Sequence, residues 1–186
     1  MKIFLNPGHH PGVDSGAVNK ELGLQECYIT LNISKRVKQY LEAVGYQVQM
    51  VQSDNLAGES PQYINVTESA NTWGADLFIS IHCNSATRSD ARGVETLCCG
   101  LGDEGERLAE CIQNQVVATI QKIDVSFPDR GVKKDVRGLA VLRATAMPAV
   151  LVEMAFINNV EDAKLLIDYE DEFARAIARG ISDFYV

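Results

Sequence analysis

The chain has 186 residues, 46% of them hydrophobic and 23% charged, with a formal net charge of −8 at neutral pH. That length can bury a core without disulfides or structural metal, and the acidic balance argues against a nucleic-acid partner drawn in by its phosphates. No apolar run approaches the roughly 18 residues of a membrane span, and the short apolar start Ile3-Phe4-Leu5 has neither the length nor the cleavage site of a secretory signal.

Strand signals fall at Lys2–Leu5, Tyr46–Val51, Leu77–His82, Val94–Cys98, Leu139–Leu142 and Ala149–Val152. Helical periodicity covers Leu22–Val44, Pro61–Trp73, Glu104–Lys122, Val160–Ile167 and Glu170–Phe184. Asn55–Ser60 and Val125–Gly131 read as surface loops from their Gly, Pro and Asp content. The interleaving predicts an α/β fold: one domain over residues 1–186, with a largely parallel twisted sheet of about six strands flanked by helices. The five cysteines form no C-x-x-C pair and are odd in number, so they suggest free thiols rather than a disulfide framework or a thiolate metal site.

In open α/β sheets ligands sit beyond the carboxyl ends of the strands. His9 follows the first strand, His82 and Asn84 end the Leu77 strand, and Glu153 ends the Ala149 strand. Alternation puts Ser80, His82 and Asn84 on one side of their strand. In the first long helix the apolar stripe Thr30, Ile33, Val37, Leu41, Val44 extends back to Glu26, which points a carboxylate inward at the helix start. A buried carboxylate needs a partner. Two imidazoles and one carboxylate, His9, Glu26 and His82, suit a single zinc ion that keeps a position open for water or substrate. Glu153 remains as a proton-transfer group. Spacings this scattered match no short motif, and each residue taken alone has a purely structural explanation.

The ordered blocks add a more specific signal. Asn6-Pro7-Gly8-His9, Gly23-Leu24-Gln25-Glu26, Ser69-Ala70-Asn71, Ala75 to Asn84, Arg92-Gly93-Val94-Glu95, Arg130-Gly131-Val132-Lys133 and Met147 to Asn159 together resemble the zinc-dependent N-acetylmuramoyl-L-alanine amidases of the amidase 3 type. The chain departs from that pattern at His10-Pro11, where glycines are common, at Asn65 to Glu68, which lacks the family's usual arginine, and at Met154-Ala155, which replaces a more usual small-residue pair. The resemblance implies a phosphorylase/hydrolase-like fold and one zinc per chain held by His9, Glu26 and His82, with Glu153 as catalytic carboxylate. It also implies hydrolysis of the amide between N-acetylmuramic acid and L-alanine in peptidoglycan.

His10 and Asn84 are expected to contact substrate or to support the ligands, against a structural role for each. A zinc peptidase or deacylase acting on another cell-wall amide would use the same four residues. A wall-binding module would not need Glu153. The expected place of action is the bacterial cell wall, with any wall-targeting module outside this chain. The missing signal fits either release in the manner of a phage lysin or a catalytic domain trimmed from a longer exported enzyme.

Overall fold

The sheet grows from β1 (Lys2–Pro7), whose Ile3, Phe4 and Leu5 are fully buried. A computed structural model describes residues 1–186. After β1 come a short antiparallel pair, β2 (Val18–Asn19) and β3 (Leu24–Gln25), then α1 (Glu26–Ala43), β4 (Gln47–Met50), α2 (Val66–Trp73) and β5 (Leu77–Asn84). The second half runs β6 (Val94–Cys98), α3 (Glu104–Ile120), β7 (Asp129–Lys134), α4 (Ala140–Arg143), β8 (Ala149–Phe156), α5 (Val160–Asp168) and α6 (Glu170–Asp183). The six long strands are ordered β4-β1-β5-β8-β6-β7. The first four of these run parallel, while β6 is antiparallel to β8 and parallel to β7. The sheet is therefore largely parallel, as the interleaved pattern predicts.

The buried strands are apolar on both faces because helices cover both. Alternate residues divide between two cores. Ile3, Leu5, Ile79, Ile81, Val150 and Val152 join the larger cluster with apolar residues of α1, α3 and α6, whereas Phe4, Phe78 and Leu151 join the smaller one with Val66 and Ala70 of α2 and Val141 and Leu142 of α4. Phe4 and Phe78 stack with ring centroids 5.5 Å apart.

Two expected helices start late, with Leu24–Gln25 forming β3 and α2 beginning at Val66 rather than Pro61, and two other expected elements change. Leu139–Leu142 is not a strand: Ala140–Arg143 forms one helical turn, with Val141 and Leu142 packed under the sheet. A four-residue apolar run fits a buried strand or a buried helical turn equally well. Asp129–Arg130–Gly131, expected in a loop, belongs instead to the edge strand β7. That strand pairs with β6 alone and is charged and mostly part-exposed, so it lacks the apolar alternation that announces a strand. Val44 also leaves the apolar stripe of the first helix: it is the C-cap residue and 68% exposed. All five cysteines are free.

Candidate metal centre

Each side chain of the site is delivered by a different element. β1 ends at Pro7, and the Gly8 amide continues the ladder by donating to the Ile81 carbonyl at 2.8 Å. His9 follows with φ of 62°, the one non-glycine residue in the left-handed region. A strained conformation of this kind persists only where the surroundings hold it. Here the next turn does so, with amides of Val13 and Asp14 both bonded to the His10 carbonyl.

The chain then wraps around the start of α1. That helix has no side-chain cap. Its first amides would be orphaned, but Glu26 N–H donates to the Ala17 carbonyl and Cys27 N–H to the Ser15 carbonyl. The return favour comes from Glu26, whose Oε2 accepts the Ala17 amide at 2.9 Å. The loop and the helix start thus form one hydrogen-bonded unit with His9 and Glu26 inside it.

His82 lies in the last turn of pleat of β5. The parallel pairing of β5 with β8 sets His82 directly beside Glu153, and the ladder shifts register between His82 and Asn84. Glu26 bridges the two imidazoles: its Oε2 is 3.1 Å from His9 Nε2, and its Oε1 is 3.0 Å from His82 Nδ1. Oε1 also accepts the Cys83 amide at 2.8 Å. One ligand atom from each of His9, Glu26 and His82 lies within 4.8 Å of the others.

The donor set fits a zinc ion. It is two imidazoles and a carboxylate, borderline ligands that suit zinc better than calcium or magnesium, and the carboxylate is only 3% exposed. The space around it is kept clear by glycine. Gly16 has φ of +64°, and a Cβ there would fall 2.6 Å from Glu26 Oε2 and 2.7 Å from His9 Cγ. A Cβ on Gly8 would fall 2.5 Å from His82 Nδ1.

The electrostatics follow from this packing. Burial pulls the His9 pKa down, but the hydrogen bond and charge of Glu26, with those of Asp14, outweigh it and raise it to about 9. Burial pushes the Glu26 carboxyl up, and the two histidines more than reverse that, holding it well below the usual carboxylate range.

Glu153 differs from Glu26 in having no strong partner. It is 8% exposed, its Oε2 is buried without a hydrogen bond, and burial raises its pKa. The nearest cation is the Arg137 guanidinium, 3.9 Å from Oε1. The other two expected residues lie outside the cluster. Asn84 donates from Nδ2 to Glu95 Oε1 at 3.0 Å, and it does not bond His82. His10 packs edge-on against Tyr63 with centroids 5.2 Å apart, and its Nδ1 is buried without a partner. Ser80, placed with His82 by alternation, donates instead to Asn6 Oδ1 at 2.9 Å beneath the site. A cleft of about 300 Å³ opens beside the histidines, walled by Asp14, Asp54 and Glu59.

Sequence reasoning missed Asp14 and Gly16. Both sit in the Asp14-Ser15-Gly16 turn, a composition that marks a turn but does not reveal which side chain it serves.

An α/β domain with a histidine–glutamate–histidine cluster and a free buried carboxylate beside it has the layout of a metallohydrolase. The match to known proteins narrows this. The model of the N-acetylmuramoyl-L-alanine amidase family matches residues 3–183, and the chain belongs to that family. It is 37% identical over 98% of its length to the N-acetylmuramoyl-L-alanine amidase LytC of Bacillus subtilis, of which it spans 35%. It is also 37% identical over 97% of its length to the sporulation-specific N-acetylmuramoyl-L-alanine amidase of the same organism, of which it spans 65%. Among solved structures, the amidase AmiC2 of Nostoc punctiforme superposes with a TM-score of 0.84 at 34% identity, covering 100% of this chain and 97% of that one. The chain therefore corresponds to between about a third and two thirds of these curated relatives.

Proposed function

We propose that this chain is the catalytic domain of a zinc-dependent peptidoglycan amidase that cleaves the amide between N-acetylmuramic acid and L-alanine. The observation that carries the reading is the meeting of His9, Glu26 and His82 from three separate elements, with the partnerless Oε2 of Glu153 on the strand beside His82. Its support in kinship is the family itself and the printed activity of the relatives. The place of action under this reading is the bacterial cell wall.

His9, Glu26 and His82 would hold the ion. When bound there, zinc supplies Lewis acidity toward a carbonyl oxygen and toward water. The chain's own residues do the rest. Glu153 takes the proton of the attacking water and returns it to the departing L-alanine nitrogen. Its burial serves this role: its one charged neighbour, Arg137, stands 3.9 Å from Oε1 without a hydrogen bond, and Oε2 has no competing hydrogen bond. Glu26, anchored by the Ala17 and Cys83 amides, keeps both imidazoles in place while the proton moves.

The test is digestion of purified peptidoglycan by zinc-loaded protein and by Glu153→Gln. The reading expects new amino termini on L-alanine, with turnover falling at least about a hundredfold in the variant at unchanged metal content. New termini deeper in the peptide would assign the activity to a peptidase, and full turnover by Glu153→Gln would remove that carboxyl from the reaction.

A further inference from the structure

The stretch after β7 carries a cation that the site as described does not use. Lys133 and Arg130 of β7 are both consumed by one carboxylate: Glu95 Oε2 is 2.6 Å from Lys133 Nζ and 2.7 Å from Arg130 Nε. Arg137 is different. Its side chain makes no hydrogen bond, it is 55% exposed, and its nearest carboxylate oxygen is that of Glu153 at 3.9 Å. That separation is too long for the paired geometry an arginine adopts with a committed carboxylate.

The backbone that presents Arg137 is built to do so. Asp135 is 2% exposed, and its carboxylate folds the chain back on itself: Oδ1 accepts the Arg137 amide at 2.9 Å and Oδ2 the Leu139 amide at 2.7 Å. The Asp135 amide is in turn bonded to the Cys98 carbonyl at 2.8 Å, which fastens the turn to the sheet. A buried aspartate thus holds a turn whose tip is a guanidinium that makes no hydrogen bond and stands 3.9 Å from Glu153 at the lip of the site.

We infer that Arg137 is a specificity residue that binds a substrate carboxylate on the L-alanine side of the scissile amide. The inference rests on the amidase reading above. If Glu153 protonates the L-alanine nitrogen, a guanidinium about 4 Å from Glu153 stands over the peptide rather than the sugar. One residue further along the chain is about 3.5 Å. In the stem peptide that residue is a glutamate joined through its side chain, so its α-carboxylate is either free or capped as an amide. The planar fork of arginine suits a free carboxylate and offers much less to a carboxamide. The cleft beside His9 and His82 is walled by Asp14, Asp54 and Glu59, which would repel a carboxylate placed there.

The experiment compares two soluble muramyl tetrapeptides that differ only in that group, α-carboxylate against α-carboxamide. The readout is the ratio of kcat/KM values for zinc-loaded protein. Wild type is expected to favour the carboxylate by about tenfold, the scale of one partly exposed charge-assisted hydrogen bond, chiefly through KM. Arg137→Ala should bring the ratio to about one, and Arg137→Glu should invert it. A wild-type ratio near one, or a ratio unchanged in both variants, overturns the assignment while leaving the amidase reading intact. Cleavage of neither substrate by wild type, or cleavage at another bond, overturns the amidase reading and this inference with it.

Discussion

Asp14 Oδ2 lies 2.6 Å from Nδ1 of His9, while Nε2 of the same ring lies 3.1 Å from Glu26 Oε2. A carboxylate on one ring nitrogen holds the proton there and leaves the lone pair of the other for a metal. Asp14 is itself fixed, since its Oδ1 accepts the Gly16 amide at 2.9 Å. Losing such a support typically costs ten- to a hundredfold in metal affinity. Asp14→Ala should therefore weaken zinc binding by about that factor in a chelator competition, with Asp14→Asn falling between it and wild type. Equal affinities in all three would show that the contact does not orient the ligand.

Gly16 supplies the space in which that arrangement exists. Its φ of +64° disfavours any side chain, and the first carbon of one would press on His9 and Glu26. Gly16→Ala should lower unfolding free energy by about 1–3 kcal/mol and weaken zinc binding as well. Equilibrium denaturation with chelator present isolates the first effect, and a zinc titration isolates the second. A variant with wild-type values in both would mean that the loop relaxes without cost.

At the carboxyl end of β8, three residues beyond Glu153, Asp162 ties that strand to the start of β6. It is fully buried and accepts the Gly93 amide at 2.8 Å, the Phe156 amide at 3.0 Å and Arg92 Nε at 2.8 Å. Arg92 also pairs with Asp124 and Glu161, so removing the carboxylate chiefly leaves two buried amides without an acceptor, which commonly costs about 1–3 kcal/mol. Asp162→Ala should cause a loss of that order in chemical denaturation. A loss below about 1 kcal/mol would place Arg92 and the two amides in water rather than in a dry network.

Glu95 gives a pH-dependent prediction. Burial raises its pKa, but Lys133 and Arg130 outweigh that and the net shift is downward from 4.5. A carboxyl whose folded pKa is depressed adds stability above its unfolded value, and that stability is lost as pH falls through the folded value. Glu95→Gln should therefore destabilise the protein at pH 7, and the gap from wild type should shrink below about pH 4.5 as the native glutamate protonates. Urea melts at several pH values read this directly. A gap that stays constant with pH would mean that the carboxylate charge contributes nothing.

Much of the fold was legible because burial on two faces writes itself into local sequence. The runs Ile3-Phe4-Leu5, Leu77 to Ile79 and Ala149 to Val152 are apolar throughout, and each became part of a central strand. Legibility failed where burial was partial. Arg130 to Lys134 is strand only because β6 offers an open edge, and Leu139 to Leu142 is a helical turn only because the smaller core has room for one.

The site divides in the same way. His9, Glu26, His82 and Glu153 are visible in the sequence because they sit at strand ends and a helix start, where a site is expected, although each alone has a structural explanation. Their resemblance to a family's ordered blocks then grouped them. The tertiary structure decided what surrounds them: Asp14 on His9, Gly16 against His9 and Glu26, Asn84 turned to Glu95, Arg137 at 3.9 Å from Glu153. Such contacts join residues brought together by loop closure and strand register. The free energy of a loop depends on what it packs against, and nothing in its own few residues records that partner.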